Sequence, residues 1–386
     1  MAASLIGAQR MIITPGDGPT RVVSPGFVRI EDGVITEAGE GRPPGTPDVD
    51  LPDGLLAPGF VDLQVNGFYG YDMVDADEAG WHTVVSRLPE TGVTSFLPTF
   101  ITAPVAVQAE ALRRTRDLLP GLPHGTRVLG VHLEGPFLSA RRKGAHNPAH
   151  LTDPAPDAIA TLLETGLVKL VTLAPEREGA LEAIRTLTAA GVLVSVGHSD
   201  ATAAQTAAAA DAGARKVTHI FNAQSGIDHR DPGVATQALI DPRLHPGLIL
   251  DLHHVAPEIA RLVFRAAAGR VVLVTDAAAS AGMPPGTYDL GGEPITMPEE
   301  GPPLRADGTL AGSGLRLDDA VANAIGLGVG TAAAVDAATR VPAGLAGRPD
   351  LGRIAPGAAA DLVWLGPDHR ARTTWINGQE AFGGAP

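Results

Sequence analysis

The sequence predicts an α/β protein: a (β/α)8 barrel of the TIM type with a small β-sandwich domain built from both termini. Three observations carry that reading. Eight short β-branched runs recur between residues 60 and 277, each followed by an Ala/Leu-rich stretch of helical character. Their starts lie about 30 residues apart on average, the size of one strand–helix crossover unit. The two ends of the chain have a different, alternating pattern and almost no helix signal.

The runs are FVDLQVN (60–66), TSFLPTF (94–100), VLGVHLEG (128–135), VKLVTLAP (168–175), VLVSVGHS (192–199), KVTHIFN (216–222), GLILDLHH (247–254) and VVLVTDA (271–277). Continuous rather than alternating apolar character suits parallel strands covered on both faces. Eight such units in one stretch fit a closed barrel better than an open doubly wound sheet. At the ends, LIGAQRMIIT, FVRIEDGVITEAGE, DLVWLG and TTWINGQEAF read as sandwich strands separated by turn dipeptides. Either set alone buries too little to stand by itself. The expected division is therefore 1–55 together with 345–386 for the sandwich, and 56–344 for the barrel. Residues 285–312 are Gly/Pro-rich with two short strand candidates, and read equally as an active-site hairpin or a surface excursion.

Composition excludes several kinds of chemistry. The 386 residues contain no Cys, which removes disulfides, thiolate metal sites and Cys nucleophiles. With 29 Lys+Arg against 43 Asp+Glu, the net charge is −14, and no basic block stands out. Nucleic acid and anionic lipid are accordingly not expected as partners. Only three of the cations are Lys, so a phosphate would be held by Arg. No apolar run reaches the ~18–20 residues that span a bilayer. The segment MAASLIGAQRM lacks the charge pattern of a signal peptide, so a cytoplasmic location is expected.

Chemistry collects at the C-terminal ends of the runs, where barrels of this kind carry their active sites. The first ends in Gln64 and Asn66, the third in His132 and Glu134, the fifth in His198. The sixth ends in His219 and Asn222, the seventh in His253 and His254, the eighth in Asp276. Five of the 12 His fall in these ends, where a packed apolar strand has no use for them. Glu134, His198 and His219 form the most economical metal set: one carboxylate and two imidazoles with a position left for water. Such an ion lowers the pKa of its water from 15.7 to about 7. Asp276 reads as the general base that takes the water's proton and returns it to the leaving nitrogen. The alternative for Asp276 is a helix cap, and for the other three a set of separately satisfied core residues. The loop after Glu134 carries Arg141, Arg142, Lys143, His146 and His150, and reads either as an anion-binding loop or as solvated charge. The stretch 219–233 offers Asn222, the backbone near Ala223, His229 and Arg230.

Taken together, LLAPGFVDLQVNG (55–67), GVHLEGPFLSARRKGAHNP (130–148), SVGHSDAT (195–202), HIFNAQSGIDHRDPG (219–233), VTDAAASAG (274–282), GTLAGSGLRLDDAV (308–321) and LGRIAPGAAADLVWL (351–365) resemble the N-acetylglucosamine-6-phosphate deacetylase family of the amidohydrolase superfamily. The resemblance spans nearly the whole chain. It implies an amidohydrolase-type barrel and metal-dependent removal of acetate from an amino-sugar phosphate, with metal-bound water as nucleophile. It sets the metal ligands on Glu134, His198 and His219, and the acid/base on Asp276. Substrate contacts fall on Ala145, His146, Asn222, Ala223, Arg230 and His254, and His146 helps polarise the acetamide carbonyl. Arg230 would reach the active site of a neighbouring subunit in a homodimer.

The chain departs from that pattern in three places. Gln64 and Asn66 stand where many amidohydrolases have a His-x-His pair, so one divalent metal is expected per subunit, with Zn first and Fe, Co, Mn or Ni as alternatives. Gln224 replaces a Met, and Leu252 replaces a Gly two residues before His254; both were expected near the sugar. Two rivals are a deacetylase for another sugar such as N-acetylgalactosamine-6-phosphate, and a catalytically inert sugar-phosphate sensor. The sensor would be expected to have lost one of Glu134, His198, His219 and Asp276, yet all four are present.

Overall fold

The computed structural model describes residues 4–16 and 18–384. Apart from the two-residue strand Arg127–Val128, which pairs beside Val93–Ile101, eight parallel strands form the central sheet: β1 (Phe60–Val65), β2 (Val93–Ile101), β3 (Val131–Glu134), β4 (Val168–Leu173), β5 (Leu193–Val196), β6 (Lys216–Val217), β7 (His245–Leu248) and β8 (Val272–Leu273). They pair in chain order from β1 to β8. The ring closes through a parallel bridge between Val65 and Ala277, and Asp276 N–H donates to Gln64 O at 2.9 Å. Each of the eight sequence runs overlaps one of these strands, closely for β1, β2 and β4 and by only two residues for β6, β7 and β8.

Each strand is followed by a helix whose ends the sequence marks. Glu78–Arg87 starts at Asp77, whose carboxylate accepts from Gly80 N–H. Ala203–Ala212 begins with a complete capping box between Thr202 and Gln205. Helices Pro156–Leu163 and Pro257–Ala266 begin with Pro, which has no N–H to leave unpaired there. Among the described residues no helix is long and apolar enough to cross a membrane.

Both termini build the second unit. A four-stranded sheet contains Ser4–Ala8, Gly26–Glu31, Val34–Glu40 and Val49–Leu51. A six-stranded sheet joins Met11–Ile13, Arg21–Val23 and Leu55–Pro58 to Leu362–Leu365, Ala371–Ile376 and Gln379–Phe382. Ile6, Val28 and Ile35 from the first sheet share a buried cluster with Met11, Leu56, Leu362 and Trp375 from the second. That shared core makes the two sheets a sandwich. Leu55–Pro58 pairs with Leu362–Leu365 in this unit, and β1 begins two residues later.

The barrel strands are buried on both faces, but the interior carries polar side chains rather than a continuous apolar filling. His132 sits between Thr99 Oγ1 at 3.1 Å and Thr172 Oγ1 at 2.8 Å. Thr218 Oγ1 lies 2.7 Å from Thr172 Oγ1 and 2.6 Å from Ser195 Oγ. Asp62 accepts from Thr275 Oγ1 at 2.6 Å, and burial pushes its carboxyl up to about 7. Lys216 is fully buried, and its amine has no hydrogen-bond partner among the described residues. A Cβ on Gly247 would come within 2.9 Å of Lys216 Nζ, so the lysine fills the space that the glycine leaves.

The segment 285–312 lies at the barrel mouth rather than away from it. Gly286–Leu290 and Glu293–Met297 form an antiparallel hairpin, tethered where Gly291 N–H donates to Asp72 Oδ2 at 2.6 Å. It brings Leu290 to the barrel mouth, and the segment after it, held by an isolated bridge between Leu304 and Leu310, brings Thr309 and Leu310 there.

Candidate metal and substrate site

Glu134, His198 and His219 converge at the barrel mouth, with one ligand atom from each lying within 4.8 Å of the others. His219 Nε2 is 3.0 Å and His198 Nε2 3.4 Å from Glu134 Oε1, and the two nitrogens are 3.1 Å apart. Atoms bonded tetrahedrally to an ion at 2.0–2.1 Å are about 3.3 Å from one another, so this spacing suits a divalent cation. The His198 Nδ1–H donates to Arg142 O at 2.9 Å, which leaves the Nε2 lone pair turned toward the cluster. Burial opposes ionisation of Glu134, but hydrogen bonds from His198 and His219 hold its carboxyl well below the usual range. Burial likewise disfavours a charged His219, yet Glu134 raises its pKa overall. An ionised carboxylate against two imidazoles is the donor set that a cation completes.

Asp276 stands beside this group at the end of β8. Asn66 Nδ2 donates to its Oδ1 at 2.7 Å, and Gln64 Nε2 donates to the same oxygen at 3.0 Å. Gln64 Nε2 is also 3.1 Å from Glu134 Oε1. The residues in place of a His-x-His pair are thus hydrogen-bond donors that join the two carboxylates. Burial, and then the charge of Glu134, raise the Asp276 pKa above the ordinary value. Asp276 caps no helix; its carbonyl accepts from Ser313 N–H at 2.8 Å. Gly312 (φ +65°) packs on that carbonyl, where a Cβ would approach to 2.9 Å. This contact gives the first glycine of the Gly-Ser-Gly turn at 312–314 its place.

His198, His219, Ala223 and Asp276 all have positive φ, at 47°, 25°, 50° and 52°. Non-glycine residues in this region carry backbone strain of about 1–3 kcal/mol each, and such strain collects at functional sites.

His146 is buried in the loop after β3, with Nε2 3.8 Å from Glu134 Oε2. Its Nδ1 accepts from Thr102 N–H at 3.3 Å and lies 2.8 Å from Thr102 Oγ1. Burial, followed by the nearby His198, holds its pKa well below the usual value. A neutral ring with Nδ1 accepting carries its proton on Nε2. His254 Nδ1 is 2.7 Å from Asp251 Oδ2; burial opposes ionisation of Asp251, but the hydrogen bond and charge of His254, together with the backbone N–H groups of His254 and His253, lower its pKa overall.

These groups share a cavity of about 370 Å³. It is lined by Asn66, Glu134, Ala145, His146, His198, His219, Asn222, Ala223, His254 and Asp276, together with Ile101, Leu290 and Leu310. Every expected site residue but one therefore meets there. Arg230 is exposed and does not line the cavity; it lies on a turn where Asp228 accepts its N–H at 2.8 Å. Arg141 and Arg142 line the rim, but both pair with Asp200 at 2.8 Å, so the loop is less basic than its sequence suggests. Gln224 and Leu252 line none of the cavity. Gln224 Nε2 instead donates to Thr218 O at 3.3 Å and His219 O at 3.4 Å, bracing the turn that carries His219. The expectation that both replacements lie at the sugar is corrected accordingly.

Sequence reasoning missed Thr102, Asp251 and the apolar lining. Asp251 was findable as a carboxylate three residues before His254. Thr102 and Leu290 meet the site only through tertiary folding.

Residues 55–381 match the model of the amidohydrolase family. The chain is 39% identical over 358 residues to the N-acetylgalactosamine-6-phosphate deacetylase of Escherichia coli O157:H7, covering 92% of this chain and 94% of that one. It is 39% identical to the N-acetylglucosamine-6-phosphate deacetylase of Bos taurus, over 84% of this chain and 83% of that one. A solved mutant of N-acetyl-D-glucosamine-6-phosphate deacetylase from Mycobacterium smegmatis, in complex with N-acetyl-D-glucosamine-6-phosphate, superimposes with a TM-score of 0.93 at 34% identity. That match covers 99% of this chain and 100% of the other.

Proposed function

The chain belongs to the amidohydrolase family, and on that footing we propose that it hydrolyses the acetamide of N-acetylglucosamine-6-phosphate to acetate and glucosamine-6-phosphate. The observation that carries the reading is the buried Glu134–His198–His219 cluster with Asp276 tied to it through Gln64. Relatives and a solved neighbour named for this activity support it.

Glu134, His198 and His219 would hold one divalent ion, with Zn first on the grounds of ligand type and Fe, Co, Mn or Ni as alternatives. When bound, such an ion supplies a water of lowered pKa and polarises the carbonyl. His146 Nε2–H donates to the acetamide oxygen, where negative charge develops. Asp276 takes the proton of the attacking water and delivers it to the departing amine nitrogen, a role worth typically 10²–10⁴-fold. Asn66 and Gln64 hold the Asp276 carboxylate in line by hydrogen bonds to one oxygen, which leaves the other free for the water. Asn222, Ala223 and His254 would orient the sugar.

Capture of the phosphate by Arg230 of a second copy in a homodimer is part of the same proposal. It is supported by the exposure of Arg230 on the stretch 219–233, whose Asn222 and Ala223 line the cavity. The net charge of −14 makes such a local contact necessary, because the overall field repels an anion. Because a sugar phosphate does not cross a bilayer unaided, the cytoplasm is the proposed compartment.

A second reading has a specific observation behind it. The relative named for N-acetylgalactosamine-6-phosphate is matched over a larger share of this chain than the bovine one. Acetate release from the two sugar phosphates, which differ at one ring carbon, separates the readings. A higher kcat/KM for the glucosamine derivative supports the first, and the reverse order overturns it in favour of the second.

A further inference from the structure

We infer that the hairpin and the end of β2 form an acyl pocket, and that Leu290 and Leu310 restrict the substrate to short N-acyl groups. This rests on the deacetylase reading and adds what it leaves open, the size of the acyl group removed.

The cavity has two chemically distinct sides. Asn222, Ala223 and His254 come from the ends of β6 and β7. Ile101 from the end of β2, and Leu290 and Leu310 from the 285–312 segment, add an apolar part to the lining, apart from Ile249 beyond β7. Behind them Ile101 and Leu290 pack with Ala278, Ile295 and Ala311, with Ala145 against the same cluster. This wall is fixed to both groups that act on the carbonyl. Ile101 precedes Thr102, whose N–H holds His146 Nδ1, and Ala145 precedes His146. Ala278 and Gly312 lie together against the Asp276 segment.

An acetamide carbon has three substituents. Its oxygen goes to His146 and the metal cluster, and its nitrogen carries the sugar toward β6 and β7. The methyl is then directed at the apolar surface of Ile101, Leu290 and Leu310, on the side of His146 and Asp276. The polar hexosamine phosphate has no group of its own to cover that surface, whereas a methyl does. In a closed apolar pocket one additional methylene changes discrimination by about 10–200-fold. The wall therefore excludes N-butyryl chains while accepting N-acetyl.

The test compares N-acetyl- and N-butyryl-glucosamine-6-phosphate in the metal-loaded full chain and in Leu290→Ala and Leu310→Ala. Leu310 is half-buried on a loop, so its truncation leaves the hairpin intact if Leu290→Ala unfolds it. The butyryl-to-acetyl ratio of kcat/KM is expected to rise about tenfold or more in at least one wall variant. Binding of both compounds to the Asp276→Asn protein should shift in the same sense, independently of turnover. An unchanged ratio in both variants, with acetate release retained, overturns the acyl pocket alone. So does a rise produced by Ile249→Ala, on the β7 side, and by neither wall variant. Failure of the unaltered chain to release acetate from either hexosamine phosphate overturns the deacetylase reading instead.

Discussion

The Gln64 carboxamide nitrogen stands 3.0 Å from Asp276 Oδ1. Through the same nitrogen, 3.1 Å from Glu134 Oε1, one neutral side chain connects a proposed ligand to the proposed base. Two carboxylates this close would otherwise repel, and an amide N–H₂ donates to both without adding charge.

Gln64→Leu removes both hydrogen bonds while keeping the volume. The ligands remain, so metal content should persist at saturating metal. Positioning losses of this kind cost about 10–100-fold in metal affinity or activity. A kcat within twofold of the unaltered chain would refute the positioning role.

His219 and His254 both line the cavity, but only His219 belongs to the three-atom cluster. His219→Ala should lose the metal as well as activity. His254→Ala should retain the metal and lose activity through poorer substrate binding. Elemental analysis of the two purified variants checks this, and equal retention in both would refute the ligand assignment.

Much of this was legible in the residues. The eight strands stand out because each run ends in a chemistry-bearing side chain followed by a helix start, as in VLGVHLEG and VTDA. Glu134, His198, His219 and Asp276 were visible for the same reason: apolar strands have no use for them. What escaped depends on approach in space. Leu290 reaches the cavity only because a hairpin folds back over the mouth, and Thr102 matters only because His146 arrives 44 residues later in the chain. Gln224 looked like a substrate residue from its neighbours in sequence, yet the positive φ at Ala223 turns the chain so that Gln224 points behind His219. The polar barrel interior was equally hidden, since period-two alternation of Thr or Ser with Val does not register as a change of polarity.

Lys216 sets a pH-dependent stability. Burial lowers its amine to about 8 from the ordinary 10.5, against the opposing pull of Glu134, Asp276 and Asp62. Between those two values the unfolded chain carries more protons, so this contribution to stability rises with pH across that window. Below about pH 8 both states are protonated and the penalty is complete, about 3 kcal/mol at most. Lys216→Met should raise Tm near neutral pH and flatten the rise above pH 8, as read by thermal unfolding across that range. A lower Tm at neutral pH would show that the amine's charge is needed by the carboxylates around it.

Leu252 adopts a φ of +66° with 39% of its surface exposed. The left-handed region costs a residue with a Cβ roughly 1–2 kcal/mol, partly offset by the greater chain entropy that glycine loses. Leu252→Gly should therefore stabilise the fold by about 0.5–1 kcal/mol and leave kcat/KM for the sugar phosphate close to unchanged, because the side chain is off the cavity lining. Unfolding midpoints together with steady-state kinetics check both halves.

The most direct test of the whole account is acetate release from N-acetylglucosamine-6-phosphate by the chelator-stripped chain as a divalent metal is returned stepwise. Activity should be absent without metal, rise in proportion to occupancy, and level off at one ion per subunit. Full turnover in the stripped protein, or a plateau that requires two ions per subunit, would contradict it.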